Sequence, residues 1–203
     1  KDMHALQLDD TALLMKRWHE LVRNVIAGMP DSAEKQELTT VMGAWNGQAA
    51  ADSAAYRIMR RFREEVAADV MPTILADLLR KDPALKWYTV APQWEAPLWQ
   101  VLTRRPAAAL PAGHADWDEY LRATLTGKVY KPYKELYKGD LSKATWGAIN
   151  VAKIRHPLSP AVPLLGTVLD MPKAAMNGDS NVVLAQFESF GPAVRLVVSP
   201  GHE

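Results

Sequence analysis

The feature that most constrains this chain is an uneven distribution of charge. Of its 47 charged residues, 39 lie before Ala144, and the 60 residues from Ala144 onward carry eight. A charged stretch with apolar residues every three to four positions folds as amphipathic helices. A charge-poor stretch cut by prolines and glycines folds as short strands and turns. The sequence therefore predicts an α+β chain with a helical first two-thirds, residues 1–143, followed by a strand-rich segment, residues 144–203. The strand runs are too short and too interrupted to close a two-sided core alone. The two parts are expected to belong to one larger domain, with the second completing a sheet.

Within the first part, Asp9 or Asp10 is expected to cap a helix carrying Leu14, Trp18, Leu21, Val22, Val25 and Ile26, ended by Gly28 and Pro30. Asp31 and Glu34 have capping-box spacing for a second helix with Leu38, Val41, Met42 and Trp45 on its face. Asn46-Gly47 signals a turn. A third helix, capped by Asp52, places Ala55, Ile58, Met59, Phe62, Val66 and Val70 on one stripe, with Arg57, Arg60, Arg61 and Arg63 off it. Pro72 marks a break or the start of a further helix through Leu79. Shorter helices are expected at Pro97–Leu102, Trp117–Leu125 and Tyr130–Tyr137, with a surface loop over residues 105–113 between them. Trp146–His156, Leu164–Met171, Val182–Phe187 and Val194–Val198 read as strands.

Composition narrows function by exclusion. A net charge of +1 lacks the footprint of a general nucleic-acid binder, and no apolar run reaches membrane-spanning length. The absence of cysteine excludes a disulfide scaffold, a thiolate zinc site and a Cys nucleophile, and it suits an oxidising compartment. The sequence opens on Lys1 with no leader-like segment after it, so the chain reads as an excised piece or a product of proteolysis.

No complete catalytic constellation is visible. His4, His19, His114, His156 and His202 form no tight ligand pair, so no metal site is expected. His19 reads as a solvated neighbour of Glu20, and His156 as a turn-bonding residue before Pro157. Gly178-Asp179-Ser180 invites a serine-esterase reading, but no Gly-x-Ser-x-Gly elbow surrounds Ser180. A Gly-Asp turn with Asp179 bonding backbone N–H groups fits better. Lys128, Lys131, Lys134, Lys138 and Lys143 interleave with Tyr130, Tyr133 and Tyr137. This reads as a packed tyrosine face with lysines outside rather than a nucleic-acid surface. Arg195 lies in a Val-rich run, where it either points to solvent by alternation or pairs with a buried carboxylate, for which Asp179 is the candidate. On these grounds alone a free-standing interaction module without enzymatic activity is a full alternative to an enzyme.

The order of several motifs adds more. Thr145-Trp146-Gly147, His156-Pro157-Leu158-Ser159, Gly178-Asp179-Ser180-Asn181-Val182-Val183 and Gly191-Pro192-Ala193-Val194-Arg195-Leu196-Val197 follow one another. Upstream, Leu6-Gln7-Leu8-Asp9 precedes Ala44-Trp45-Asn46-Gly47 and Asp52-Ser53-Ala54-Ala55. This succession resembles the later β-chain of the penicillin acylase family, which includes penicillin amidases and acyl-homoserine-lactone acylases. The resemblance implies an N-terminal-nucleophile hydrolase with an αββα sandwich, made by cleavage of a precursor. The β-chain's terminal serine would be the nucleophile and its own amine the base. It also implies a periplasmic or secreted enzyme acting on small acyl amides, β-lactam side chains or N-acyl-homoserine lactones. The remaining α-chain and β-chain segments would be the partners, with no nucleic acid or membrane partner. Calcium would sit elsewhere in the parent protein, and this segment would hold no cofactor.

Lys1 does not match the nucleophile, so the segment is expected to be inactive alone and to carry no catalytic, cofactor or metal residue. Trp146, His156, Asp179 and Arg195 are expected to be scaffold, holding the late strands in register.

Overall fold

The computed structural model describes residues 3–90, 93–159, 161, 163–188 and 191–192. The chain runs through α1 (Met3–Gln7), α2 (Leu13–Ala27), α3 (Ala33–Gly43), α4 (Ala54–Ile74), α5 (Ala76–Lys81), α6 (Trp87–Val90), α7 (Glu95–Arg104), α8 (Trp117–Ala123) and α9 (Lys131–Leu136). Next come β1 (Val151–Ala152), α10 (Pro163–Leu169), β2 (Ala174–Ala175), β3 (Gln186–Phe187) and β4 (Gly191–Pro192). The strands form two antiparallel pairs, β1 with β2 and β3 with β4. The class is α+β, with helices dominating.

α4 is the axis of the fold. Its apolar stripe repeats over 21 residues, and Ala55, Ile58, Met59, Phe62, Val66 and Val70 are all buried. Against it pack Trp18 and Val22 of α2, Leu38 and Met42 of α3, Leu98 of α7, and Tyr120 and Leu121 of α8. Trp18 meets Phe62 edge-on, with ring centroids 6.3 Å apart. Pro72 lies inside α4 rather than breaking it. The helix ends two residues later, so the missing N–H removes a single bond from its last turns.

The expected caps are each displaced. Ser53, not Asp52, caps α4, its side chain accepting from Tyr56 N at 3.1 Å. Ser32, not Asp31, caps α3 by accepting from Lys35 N, while Asp31 pairs with Lys35 Nζ at 2.9 Å. Neither Asp9 nor Asp10 caps α2, which has Ala12 at that position and no side-chain cap bond. Ala12 N instead donates to Gly47 O at 2.8 Å. The Asn46-Gly47 turn, with Gly47 at φ +89°, does from a distance what a local side chain was expected to do. The 105–113 loop contains a 3₁₀ turn, Ala107–Ala109, that tucks Ala109 into the core.

α8 passes directly into a π-helical turn, Thr124–Tyr130, and then into α9. Tyr130, Tyr133 and Tyr137 lie partly buried against the core. Lys128 and Lys134 bind Asp69 and Glu37 respectively. The tyrosines therefore form a packed face, as their spacing implies.

The strand expectations hold less well. Trp146–Ala148 is a 3₁₀ turn, and only Val151–Ala152 of Trp146–His156 is strand. Leu164–Met171 contains α10, not a strand. Proline suits the first position of a helix, and α10 opens on Pro163. Apolar runs of this length do not distinguish a strand from a helix by pattern alone. Val182–Phe187 is reduced to β3, Ala174–Ala175 pairs without having been expected, and Val194–Val198 lies outside the described residues.

Candidate functional site

The place where the second segment meets the first is built around Asp179. Gly178 stands at φ +88°, and a Cβ there would come within 2.1 Å of Leu184 O, so only glycine allows the turn. The turn drives the Asp179 side chain inward, leaving the residue 2% exposed. Its carboxylate accepts from Tyr56 Oη at 2.8 Å and from Arg60 Nε at 2.6 Å, both on α4, and from Ser180 N at 2.7 Å. Burial and the neighbouring Asp179 charge push the Tyr56 phenol far up. Burial opposes the Arg60 charge, but Asp179 and Glu64 more than restore it. Both groups therefore stay fixed in one protonation state, and the node works as a clasp rather than a proton relay.

Trp146 completes it. The guanidinium of Arg60 lies 4.8 Å from the Trp146 ring centroid, and Tyr56 meets the same indole edge-on at 5.4 Å. Trp146 Nε1 donates to Gly178 O at 2.8 Å, and Asn150 Nδ2 donates to Met176 O and Gly178 O. Gly147 lets the chains close: an added Cβ would lie 2.7 Å from Ala175 Cβ and 2.9 Å from Ala51 O. Backbone bonds run beside these contacts, from Trp146 N to Ser53 O, Gly147 N to Ala51 O, and Gly178 N to Ala49 O.

The structure thus brings Trp146 and Asp179 together, as the scaffold reading requires, but through Tyr56 and Arg60. Arg195 lies outside the described residues; among the described residues Asp179 pairs with Arg60. Tyr56 and Arg60 are one helical turn apart beside the apolar stripe. That spacing was the available signal, but a flanking arginine in a helix normally reads as solvated.

His156 is elsewhere. Its backbone N–H donates to Asp170, its Nδ1 accepts from Leu158 N at 3.3 Å, and Ser159 Oγ also donates to Asp170. It holds a turn, as expected. His19 does not sit free beside Glu20; its ring is bonded to Met42 O at 2.9 Å and tilted against Trp45 at 4.9 Å. His114 pairs with Glu119 at 2.7 Å. Ser180 Oγ contacts Asp179 Oδ1 at 3.2 Å and accepts from Asn181 Nδ2. The Asp179 oxygens are already taken up by Tyr56 Oη, Arg60 Nε and Ser180 N, and no histidine stands at that hydroxyl among the described residues.

A second ionic knot supports α7. Glu95 accepts from Trp18 Nε1 at 2.7 Å, Arg17 at 2.6 Å and Arg63 at 2.6 Å. Burial works against its charge, yet the Trp18 hydrogen bond and the two arginines hold it below the ordinary glutamate range. Among the described residues no group of three or more acidic or His side chains is arranged to hold a metal ion, and no helix is long and apolar enough to cross a membrane.

Comparison with known proteins agrees with the motif order. No curated protein matches the chain. The family model described as penicillin amidase matches residues 1–203, the whole length given. The chain belongs to the penicillin amidase family of hydrolases.

Proposed function

We propose that this chain is part of the β-chain of an N-terminal-serine acylase that hydrolyses the amide between an acyl group and an amine. Its substrates are β-lactam side-chain amides or N-acyl-homoserine lactones, in the periplasm or outside the cell. The remaining α-chain and β-chain segments of the same precursor supply the nucleophilic serine and its amine. Calcium, where the parent enzyme binds it, is held by those segments. The residues here form scaffold, and the chain is inactive alone. The observation that carries this reading is the family match across all 203 residues, taken with a Gly-Asp-Ser turn whose aspartate is bound by Tyr56 and Arg60 of α4.

The test is turnover per processed active site in the complete enzyme. Ser180→Ala leaves it within about twofold of the parent, whereas replacing the β-chain's terminal serine abolishes it. A loss of about a thousandfold or more at Ser180, with folding intact, would place the nucleophile in this chain and overturn the reading.

A further inference from the structure

Beside the Asp179 clasp lies an open cleft of about 310 Å³, between α4, the π-helical turn and the 3₁₀ turn at Trp146. Four cations line it, Arg57, Arg60, Arg61 and Lys128, against a single lining carboxylate, Glu64. Tyr133, Pro132, Trp146 and Ile149 supply the apolar wall.

Three of the four cations are already matched. Arg60 binds Asp179 and Glu64, Arg61 binds Glu65, and Lys128 binds Asp69 at 2.6 Å. Arg57 is the exception. It is 5% exposed, and among the described residues no carboxylate pairs with it. Its Nη1 donates to Tyr137 Oη and, at 3.2 Å, to Thr145 O, while its Nε has no hydrogen-bond partner. Its guanidinium sits 4.7 Å from the Tyr133 ring centroid and 5.4 Å from that of Tyr137. Ring faces and neutral oxygens ease the burial of a guanidinium but do not neutralise it. A buried charge of this kind normally has a counter-ion.

The backbone singles out the same place. π-helical turns are rare and concentrate at functional sites. Here Thr124–Tyr130 spans seven residues and puts Lys128 on the cleft.

We propose that this cleft binds a small organic carboxylate, its two oxygens facing Arg57 with Lys128 at the rim and its apolar body against Tyr133 and Trp146. A guanidinium fork takes a carboxylate or a phosphate, and it is the wall of Tyr133, Pro132, Trp146 and Ile149 that favours a carboxylate carrying an apolar body. The proposal goes beyond the acylase reading. Only its corollary rests on that reading: the acid released by amide hydrolysis is a ligand of the right class, and the cleft would then sense product away from the bond that is cut.

The test is binding, not turnover, so it stands or falls separately from the acylase reading. The full chain is titrated at low salt with benzoate, benzamide and inorganic phosphate, followed by calorimetry and tryptophan fluorescence. Benzoate binds saturably at one site per chain, and benzamide and phosphate bind at least about tenfold more weakly. Arg57→Lys keeps the charge but loses the fork, and weakens benzoate binding by about tenfold or more. Should that variant lose its near-UV dichroism, the exposed double variant Arg61→Gln/Lys128→Gln carries the test, with an expected loss of about three- to tenfold. Three results overturn the proposal: no saturable benzoate binding, phosphate binding as tight as benzoate, or benzoate affinity unchanged in a folded variant.

Discussion

The helical body and the segment after Ala144 are held together by different physics. The body surrounds a continuous core in which Trp18, Tyr56, Phe62, Leu38, Met59 and Leu121 are sealed from solvent. Among its described residues the later segment buries few large apolar side chains: Trp146, Met176 and Leu184 are buried, but Ile154, Leu158, Val168, Leu169, Met171 and Val183 are exposed, Val168 by 79%. What fixes it to the body is a short set of directed contacts: Asp179 to Tyr56 and Arg60, the backbone bonds from Trp146, Gly147 and Gly178 to Ser53, Ala51 and Ala49, and the close approach of Gly147 to Ala51. Apolar burial is non-directional and spreads over many residues, whereas a buried ion pair concentrates its effect in one or two. The body should therefore degrade gradually under mutation, and the later segment should detach at single points.

The largest effect should come from the body's centre. Phe62→Ala opens a cavity under Trp18 and along α4 and costs about 3–5 kcal/mol. Its chemical-denaturation midpoint falls for every probe together. A loss confined to the signal of the later segment would show that the core is not continuous.

Asp179→Asn comes next and sharpens the contrast. It leaves Arg60 and Tyr56 facing a neutral amide in a buried place. The cost is about 3 kcal/mol, at the low end for a broken buried pair because Arg60 keeps Glu64. Hydrogen exchange should show residues 146–184 losing protection while α2 and α4 keep theirs. Equal loss throughout would mean that the segment is integral to the body rather than clasped to it.

The smallest effect is a dependence on pH that belongs to the body. The Glu95 carboxyl titrates lower in the folded chain than its ordinary value of 4.5. A depressed carboxylate contributes stability that is present above its unfolded pKa and is lost as pH falls through the folded one. Stability should therefore decline as pH drops below about 4.5, and Glu95→Gln should be less stable near neutrality but flatter on the acid side. Thermal melts between pH 3 and 7 measure this. An unchanged acid slope in Glu95→Gln would assign the acid sensitivity to other carboxylates.

What the sequence determined by itself was local and repetitive. The α4 stripe, the helices carrying Trp18 and Met42, the tyrosine face and the Gly47 turn all follow from spacing over a few residues, because helical periodicity and positive-φ glycine are written into neighbouring positions. The order of Trp146-Gly147, His156-Pro157 and Gly178-Asp179-Ser180 carried the family. The tertiary structure alone decided what those residues touch. Asp179 binds Arg60, 119 positions earlier on α4, and Gly47 O meets the start of α2 where an aspartate was expected. The apolar run after Pro163 becomes a helix where pattern suggested a strand. The reason is common to all three. Pairing of a buried charge, satisfaction of a helix end and the state of a short apolar run are each decided by which groups the rest of the chain brings within a few ångströms, and a linear sequence does not encode that proximity at any fixed spacing.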